Sequence, residues 1–188
     1  MTTDLATGRR PAACAESVVV ILVMGIDPGV ANTGFGVIRL AGGQVSAVDG
    51  GVIEAPADAS LASRLVSIHA ELEKLIAWHE PAALALEQLY FGKNVQSALA
   101  VGQARGVVML AAAQRGIPCF DYTPQAVKMS VCGNGSAAKR QVQQMVGSLL
   151  GLPRAPQSEH AADALAVAIC HAAHRSTGTA AAAGVGVA

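Results

Sequence analysis

Residues 18–29 read Val-Val-Val-Ile-Leu-Val-Met-Gly-Ile-Asp-Pro-Gly, an apolar, β-branched run that ends on an acidic turn. The run is too short to span a bilayer, and no small-residue cleavage site of a signal peptide follows it closely. Continuous β-branched residues are typical of a strand that is buried on both faces. We therefore predict a central strand over Val18–Asp27 that closes on the carboxylate of Asp27.

The strand is the first of a βββαβαβ order that is followed by helices. Two more strands, Thr33–Leu40 and Gln44–Glu54, flank the turn Ala41-Gly42-Gly43 and should pair antiparallel. The order predicts an α/β fold with a five-stranded mixed sheet flanked by helices. The remaining predicted elements are a helix capped by Asp58 or Ser60 and ended by Pro81, a strand over Ala82–Glu87, a helix over Val95–Gln114, a strand over Ile117–Tyr122, a helix over Pro124–Lys128, a helix capped at the turn 133–136 with Leu149 on its buried face, and a last helix over Ser158–His174.

The composition is that of one globular domain. The chain has 188 residues, of which 52% are hydrophobic and 14% charged. We expect residues 1–17 to be a disordered extension, 18–175 to form the domain, and 176–188 to be a low-complexity tail. The four cysteines form no CxxC pair, which indicates a reducing cytoplasm rather than a disulfide scaffold.

The net charge of zero hides an asymmetry along the chain. Residues 44–91 carry a net charge of −5 and residues 92–154 a net charge of +6. This polarity fits a protein with one basic surface for a polyanion, and the basic segment includes Lys128, Lys139 and Arg140. The alternative is that these charges are scattered over solvated faces.

Three carboxylates stand in apolar surroundings, where isolated charges are costly to bury. Asp27 and Glu87 each close a predicted strand, and Asp163 lies in the last helix with His160 three residues before it, on the same face. If the two strands are parallel neighbours, these four side chains meet at one sheet edge. Such a set suits Mg²⁺ or Mn²⁺, and two ions about 4 Å apart would clamp a phosphodiester.

Structural alternatives remain at each of these positions. Asp27 could simply form the Asp-Pro-Gly turn, Glu87 could cap a loop, and His160 could be structural. A zinc site from Cys170, His171 and His174 is disfavoured, because no second ligand pair has finger-like spacing.

An ordered set of motifs resembles the RuvC family of crossover-junction endodeoxyribonucleases, the bacterial Holliday junction resolvases. The resemblance covers about residues 20–174. Its motifs are Met-Gly-Ile-Asp-Pro-Gly at 24–29, Thr-Gly-Phe-Gly at 33–36, Leu-Glu-Gln-Leu-Tyr at 86–90, Ser-Ala-Leu at 97–99, Gly-Gln-Ala-Arg-Gly at 102–106, Gly-Asn-Gly-Ser at 133–136 with Lys139, and Ala-Ala-Asp-Ala-Leu-Ala at 161–166.

The resemblance implies an RNase H-like fold and Mg²⁺-dependent, symmetric nicking of four-way DNA junctions in recombination and repair. The two nicked strands have like polarity, and the products carry 5′-phosphates. Asp27, Glu87 and Asp163 match the family's metal-binding catalytic acids. His160 stands where many members carry a fourth Asp and is kept as a ligand. Two Mg²⁺ ions are implied at each active site, and Mn²⁺ is expected to substitute.

The resemblance also implies contacts and partners. Tyr90 matches an aromatic position that stacks on bases near the crossover, and Lys128 and Lys139 match basic residues near the scissile strand. The helix near 95–114 matches the helix that forms the homodimer. Branch-migration motor proteins are the expected partners, the cytoplasm is the expected location, and no membrane is involved.

Two other functions stay open at this stage. Gly25 to Gly29, followed by Thr33-Gly34, resembles the phosphate-gripping hairpin of actin-like and sugar-kinase-like phosphotransferases, although those enzymes need two such domains. A junction-binding module without catalysis is the other alternative, and the three retained carboxylates argue against it.

Overall fold

The computed structural model describes residues 19–88 and 95–176, without the side chains of residues 95–97 and 176. The elements are β1 (Val20–Asp27), β2 (Asn32–Ala41), β3 (Gln44–Glu54), α1 (Leu61–His79), β4 (Ala83–Glu87), α2 (Val95–Gln114), β5 (Cys119–Tyr122), α3 (Pro124–Cys132), α4 (Lys139–Leu149) and α5 (Glu159–Ser176). The predicted extension at 1–17, the tail from 177 on and Tyr90 lie outside the described residues.

The five strands form one mixed sheet in the order β3-β2-β1-β4-β5, which confirms the predicted sheet. β1 pairs antiparallel with β2 and parallel with β4, and it lies at the centre. Val23, Met24 and Ile26 of β1 have no exposed surface, as expected for a strand covered on both faces. Within the described ranges, no helix is long and apolar enough to cross a membrane.

Each face of the sheet carries its own hydrophobic core. Met24 and Leu86 pack with α1 and α2, whereas Val23 and Ala85 pack with α3, α4 and α5. Neighbouring residues of a strand point to opposite faces, so β1 and β4 each contribute to both cores. The helix α1 starts where Ser60 accepts a hydrogen bond from the Ser63 backbone, which decides between its two predicted caps.

Three details of the predicted helices are wrong. The helix α3 continues to Cys132, four residues beyond its predicted end, because Val131 is buried in the core. The turn 133–136 does not cap α4: Ala138 is the N-cap, and Asn134 Oδ1 accepts a hydrogen bond from the Ser136 backbone instead. Leu149, predicted to be buried, is 39% exposed.

Glycines in β1 and β2 allow α5 to lie directly against the sheet. A Cβ atom added at Gly25 would stand 2.0 Å from the carbonyl oxygen of Ala164, and one at Gly34 would stand 2.1 Å from that of His160. Both obstacles are helix backbone, which cannot turn aside as a flexible side chain can. The helix therefore reaches its position only because these strand residues lack a side chain.

We expect Gly25→Ala to destabilise the fold. The added methyl must push α5 outward, and overpacking of this kind costs roughly 1–3 kcal/mol or more. Urea unfolding followed by circular dichroism measures the loss. Gly50→Ala is the matched control, since its added Cβ would meet nothing closer than 3.5 Å. Equal stability of the two variants would contradict the close packing of α5.

Candidate active site

Two carboxylates lie side by side at the C-terminal ends of parallel strands. Asp27 is the last residue of β1 and Glu87 the last residue of β4, and the register between these strands runs to Ile26 opposite Leu86. Because each strand ends one residue after this pair, the two acids stand at the same edge of the sheet. The condition on which the meeting of these side chains depended, that the two strands are parallel neighbours, is met.

The helix α5 adds two more side chains to this edge. The backbone of His160 lies over Gly34, the residue that pairs with Asp27 in the sheet. As a result, His160 Nδ1 and Asp27 Oδ2 are 2.8 Å apart, although the residues are 133 positions apart in the chain. Since an ionised carboxylate can only accept, Nδ1–H donates this hydrogen bond. Asp163 follows one helical turn later on α5.

Glu87 and Asp163 line a cleft of about 210 Å³ that also contains two lysines. Lys139, the first residue of α4, has its Nζ 3.2 Å from Asp163 Oδ2 and 2.9 Å from Glu159 Oε2. The full lining is Glu87, Pro124, Val127, Lys128, Lys139, Val142, Asp163 and Ala166. The lining of the cleft thus combines two carboxylates with two lysines.

The electrostatics of the cleft favour a bound cation. Burial, reinforced by the charges of Asp27 and Asp163, raises the pKa of Glu87 above its ordinary value. Burial also raises the pKa of Asp163, against the opposing effect of Lys139. Hydrogen bonding to Glu159 is the main cause of the raised pKa of Lys139. Carboxylates that repel one another in this way bind a cation at a gain in free energy.

The donor set fits a hard divalent ion, because it consists of carboxylate oxygens with one imidazole. Across residues 19–88 and 95–176, however, no three acidic, histidine or cysteine side chains converge to hold a metal as they stand. The contacts explain this arrangement: His160 holds one oxygen of Asp27, and Lys139 holds one oxygen of Asp163. An ion bound by Asp163 would compete with the Lys139 ammonium for this carboxylate.

Of the other predicted site residues, some line the cleft and others do not. Lys128 lines the cleft, whereas Arg140 is exposed beside Lys139 at the start of α4 and is not among the residues that line it. Tyr90 lies outside the described residues. In the disfavoured zinc set, Cys170 Sγ and His174 Nδ1 are in contact at 3.7 Å, whereas His171 Nδ1 is hydrogen bonded to the Tyr122 hydroxyl instead.

Two residues near the site were missed in the sequence. Glu159 holds Lys139, and its position directly before His160 was the available signal. Thr33 is fully buried, and its hydroxyl donates to the Gly29 carbonyl at 2.7 Å, which closes the loop that follows Asp27. Serine and threonine hydroxyls often stabilise turns through a local hydrogen bond of this kind, so Thr33 by itself does not indicate a functional role.

Residues 23–171 match the protein family described as crossover junction endodeoxyribonuclease RuvC. Among curated proteins, the RuvC of Pelotomaculum thermopropionicum is 49% identical over 154 residues, which are 82% of this chain and 94% of that protein. The RuvC of Roseiflexus sp. is 52% identical over 148 residues, which are 79% and 88% of the two chains.

A solved structure agrees with these sequence matches. The structure titled "T. thermophilus RuvC in complex with Holliday junction substrate" superposes with a TM-score of 0.80 at 36% identity, and it covers 85% of this chain and 97% of that one. The expected RNase H-like fold is thereby confirmed.

We expect Glu87→Gln to raise the free energy of unfolding at pH 7 in the presence of a chelator. The raised pKa of Glu87 means that its ionised form is disfavoured in the folded protein relative to the unfolded chain. Removal of the charge therefore stabilises the fold at pH values above the raised pKa. The advantage should fade as pH falls from the raised pKa towards the ordinary value of 4.5, and it should be absent below 4.5, where the carboxyl is protonated in both states.

Urea unfolding between pH 3.5 and pH 8 tests this prediction. The control is Glu54→Gln, which removes an exposed carboxylate at the end of β3 and should leave the stability nearly unchanged. A Glu87→Gln variant that is less stable than wild type at pH 7 would be the contrary result.

Proposed function

Because the chain belongs to the RuvC family of crossover junction endodeoxyribonucleases, we propose that it resolves four-way DNA junctions by nicking two strands of like polarity. The observation that carries this proposal is the cleft that Glu87 and Asp163 line together with Lys128 and Lys139. Carboxylates hold divalent cations for phosphodiester hydrolysis, and lysines bind phosphate. The family membership decides against the phosphotransferase alternative and places the reaction in DNA recombination and repair.

The proposed catalytic and metal-binding residues are Asp27, Glu87, His160 and Asp163. The RuvC family depends on a divalent metal, and the finer proposal is two Mg²⁺ ions per site with Mn²⁺ as a substitute, since imidazole is a better ligand for Mn²⁺ than for Mg²⁺. The chemistry that such ions supply when bound is a lowered pKa of the attacking water and neutralisation of charge on the phosphate.

The residues of the chain orient the reactants for one displacement. A water oxygen attacks phosphorus and the bond to the 3′ oxygen breaks, which leaves a 5′-phosphate and a 3′-hydroxyl. The hydrogen bond between His160 and Asp27 fixes the orientation of both side chains before substrate arrives. Lys139, once freed from Asp163, can bind the phosphate whose charge is being redistributed.

The DNA contacts follow from the charge around the cleft. Lys128, Lys139 and Arg140 bind backbone phosphates, so their contribution should weaken with salt and carry little sequence preference. Tyr90 stacks on a base near the crossover, for which any base offers a suitable face. Junction selectivity then comes from the shape and deformability of the DNA.

The proposed assembly is a homodimer through α2. Leu99 and Leu110 of this helix are 62% and 52% exposed, and their spacing of three helical turns puts them on one face. A two-fold axis would present two clefts to two strands of the junction, as symmetric nicking requires. Branch-migration motor proteins are the proposed partners of this assembly.

Replacement of Asp27 by Asn should abolish cleavage and preserve junction binding. We expect the cleavage rate to fall at least roughly 100-fold, because the negative charge of the Asp27 carboxylate, which stabilises the proposed transition state, is lost. The assay is cleavage of a mobile four-way junction in Mg²⁺, in Mn²⁺ and with chelator, with linear duplex of the same sequence as the substrate control. Binding is measured by gel shift with chelator present.

The matched variant is Asp58→Asn, which makes the same chemical change at an exposed carboxylate before α1 and should cleave like wild type. Persistent cleavage by the Asp27→Asn protein would refute the catalytic assignment. Tight binding without nicks by wild type would favour the non-catalytic module instead.

Leu110→Lys should convert the dimer to a monomer, because a charge would have to be buried at the proposed interface. Sedimentation equilibrium measures the mass. In the cleavage assay, the two symmetric nicks should no longer occur together in one junction. Val66→Lys changes a similarly exposed residue of α1, 68% exposed, and should leave the mass unchanged. A Leu110→Lys protein that remains dimeric would place the interface elsewhere.

A further inference from the structure

The side chain of Arg105 connects α2 to the ends of two strands. It is 13% exposed; its Nη1 donates to the carbonyl oxygen of Glu87 at 3.2 Å, and its Nη2 donates to Asp121 Oδ1 at 2.5 Å. Asp121 stands opposite Leu86 in the register of β4 and β5. A largely buried guanidinium needs charged or polar partners of this kind, so its position is well determined.

The hydrogen bond from Arg105 reaches the Glu87 carbonyl at the point where the pairing of β4 with β1 ends. The pairing of β4 with β1 ends at Leu86, one residue before Glu87. On the other side, β5 still holds the chain through the hydrogen bond from the Gln88 backbone to the Tyr122 carbonyl, at 2.7 Å. Arg105 therefore fixes the peptide of Glu87 at the point where β1 no longer contributes to it.

Arg105 reaches this peptide from the face opposite the cleft. Leu86 packs in the core under α1 and α2, and Ala85 packs in the core under α5. By the alternation of a strand, the side chain of Glu87 lies on the same face as Ala85, where it lines the cleft. Arg105 therefore acts on the carboxylate through its backbone and is not among the residues that line the cleft.

We propose that Arg105 is a positioning residue for Glu87, tying the catalytic carboxylate to α2. The inference rests on the proposed function, in which Glu87 holds metal and α2 forms the dimer interface. Without the guanidinium, the Glu87 peptide loses a hydrogen bond and the Asp121 carboxylate loses its partner. The strand end is then free to shift, and small misplacements of a catalytic group are costly in rate.

The experiment compares Arg105→Ala and Arg105→Lys, at the middle of α2, with a matched arginine that directly follows the same helix. Arg115, directly after α2, donates to Glu73 of α1 through Nε at 2.9 Å and Nη2 at 2.6 Å, so it too ties α2 to a neighbouring element. Each full-length protein is measured for urea unfolding, junction affinity in chelator, Mn²⁺ affinity by calorimetry, and kcat and KM in Mg²⁺.

We expect Arg105→Ala to lower kcat roughly 10- to 100-fold and to weaken Mn²⁺ binding, as loss of a supporting hydrogen bond behind a ligand does. Its junction affinity should stay that of wild type, because no phosphate contact is lost. Arg105→Lys should recover part of kcat, since it keeps the charge but lacks the rigid, planar guanidinium that meets both acceptors in a fixed geometry. Arg115→Ala should lose stability while kcat per folded molecule is unchanged.

Equal kcat per folded molecule in Arg105→Ala and Arg115→Ala, with an active wild type, would overturn this inference alone. If Arg105→Ala does not fold, a wild-type kcat and Mn²⁺ affinity in Arg105→Lys would overturn it equally. A wild-type protein that binds junctions without cutting them would refute the proposed function, and this inference with it.

Discussion

The close contact between α5 and the glycines of β1 and β2 is the constraint on which the active site depends. Where Gly25 meets Ala164 and Gly34 meets His160, no room remains for a side chain. This contact sets the height of the helix above the sheet and so brings His160 within hydrogen-bond distance of Asp27. The same contact therefore packs the core and positions His160 beside Asp27, so a change that loosens the core should also separate these two side chains.

The cleft shows how function opposes stability. Glu87 and Asp163 are buried near one another and near Asp27, and their raised pKa values show that the folded protein disfavours their ionised forms. Lys139 offsets part of this cost. Apolar residues of similar size would avoid this cost, which agrees with the proposal that these acids bind a cation.

Local signals in the sequence were sufficient for most elements and failed where distant contacts decide. The bounds of β3 and α2 agree with prediction because a glycine turn precedes β3 and Gly116 follows α2. The end of α3 was missed because burial of Val131 against α5 extends the helix. The start of α4 was misplaced because Asn134, rather than the backbone of a helix, takes the Ser136 amide.

The sequence by itself determined the order of the strands and helices, the position of Asp27 and Glu87 at the ends of two strands, and, through its motifs, the family. Only the tertiary structure decided which groups these acids contact: His160 on Asp27, Lys139 on Asp163, and Arg105 behind Glu87. The physical reason is the separation along the chain over which each kind of interaction acts. Periodicity and turn chemistry act over a few residues, whereas these contacts join elements far apart in the chain, whose distances are set by how closely helices can pack on the sheet.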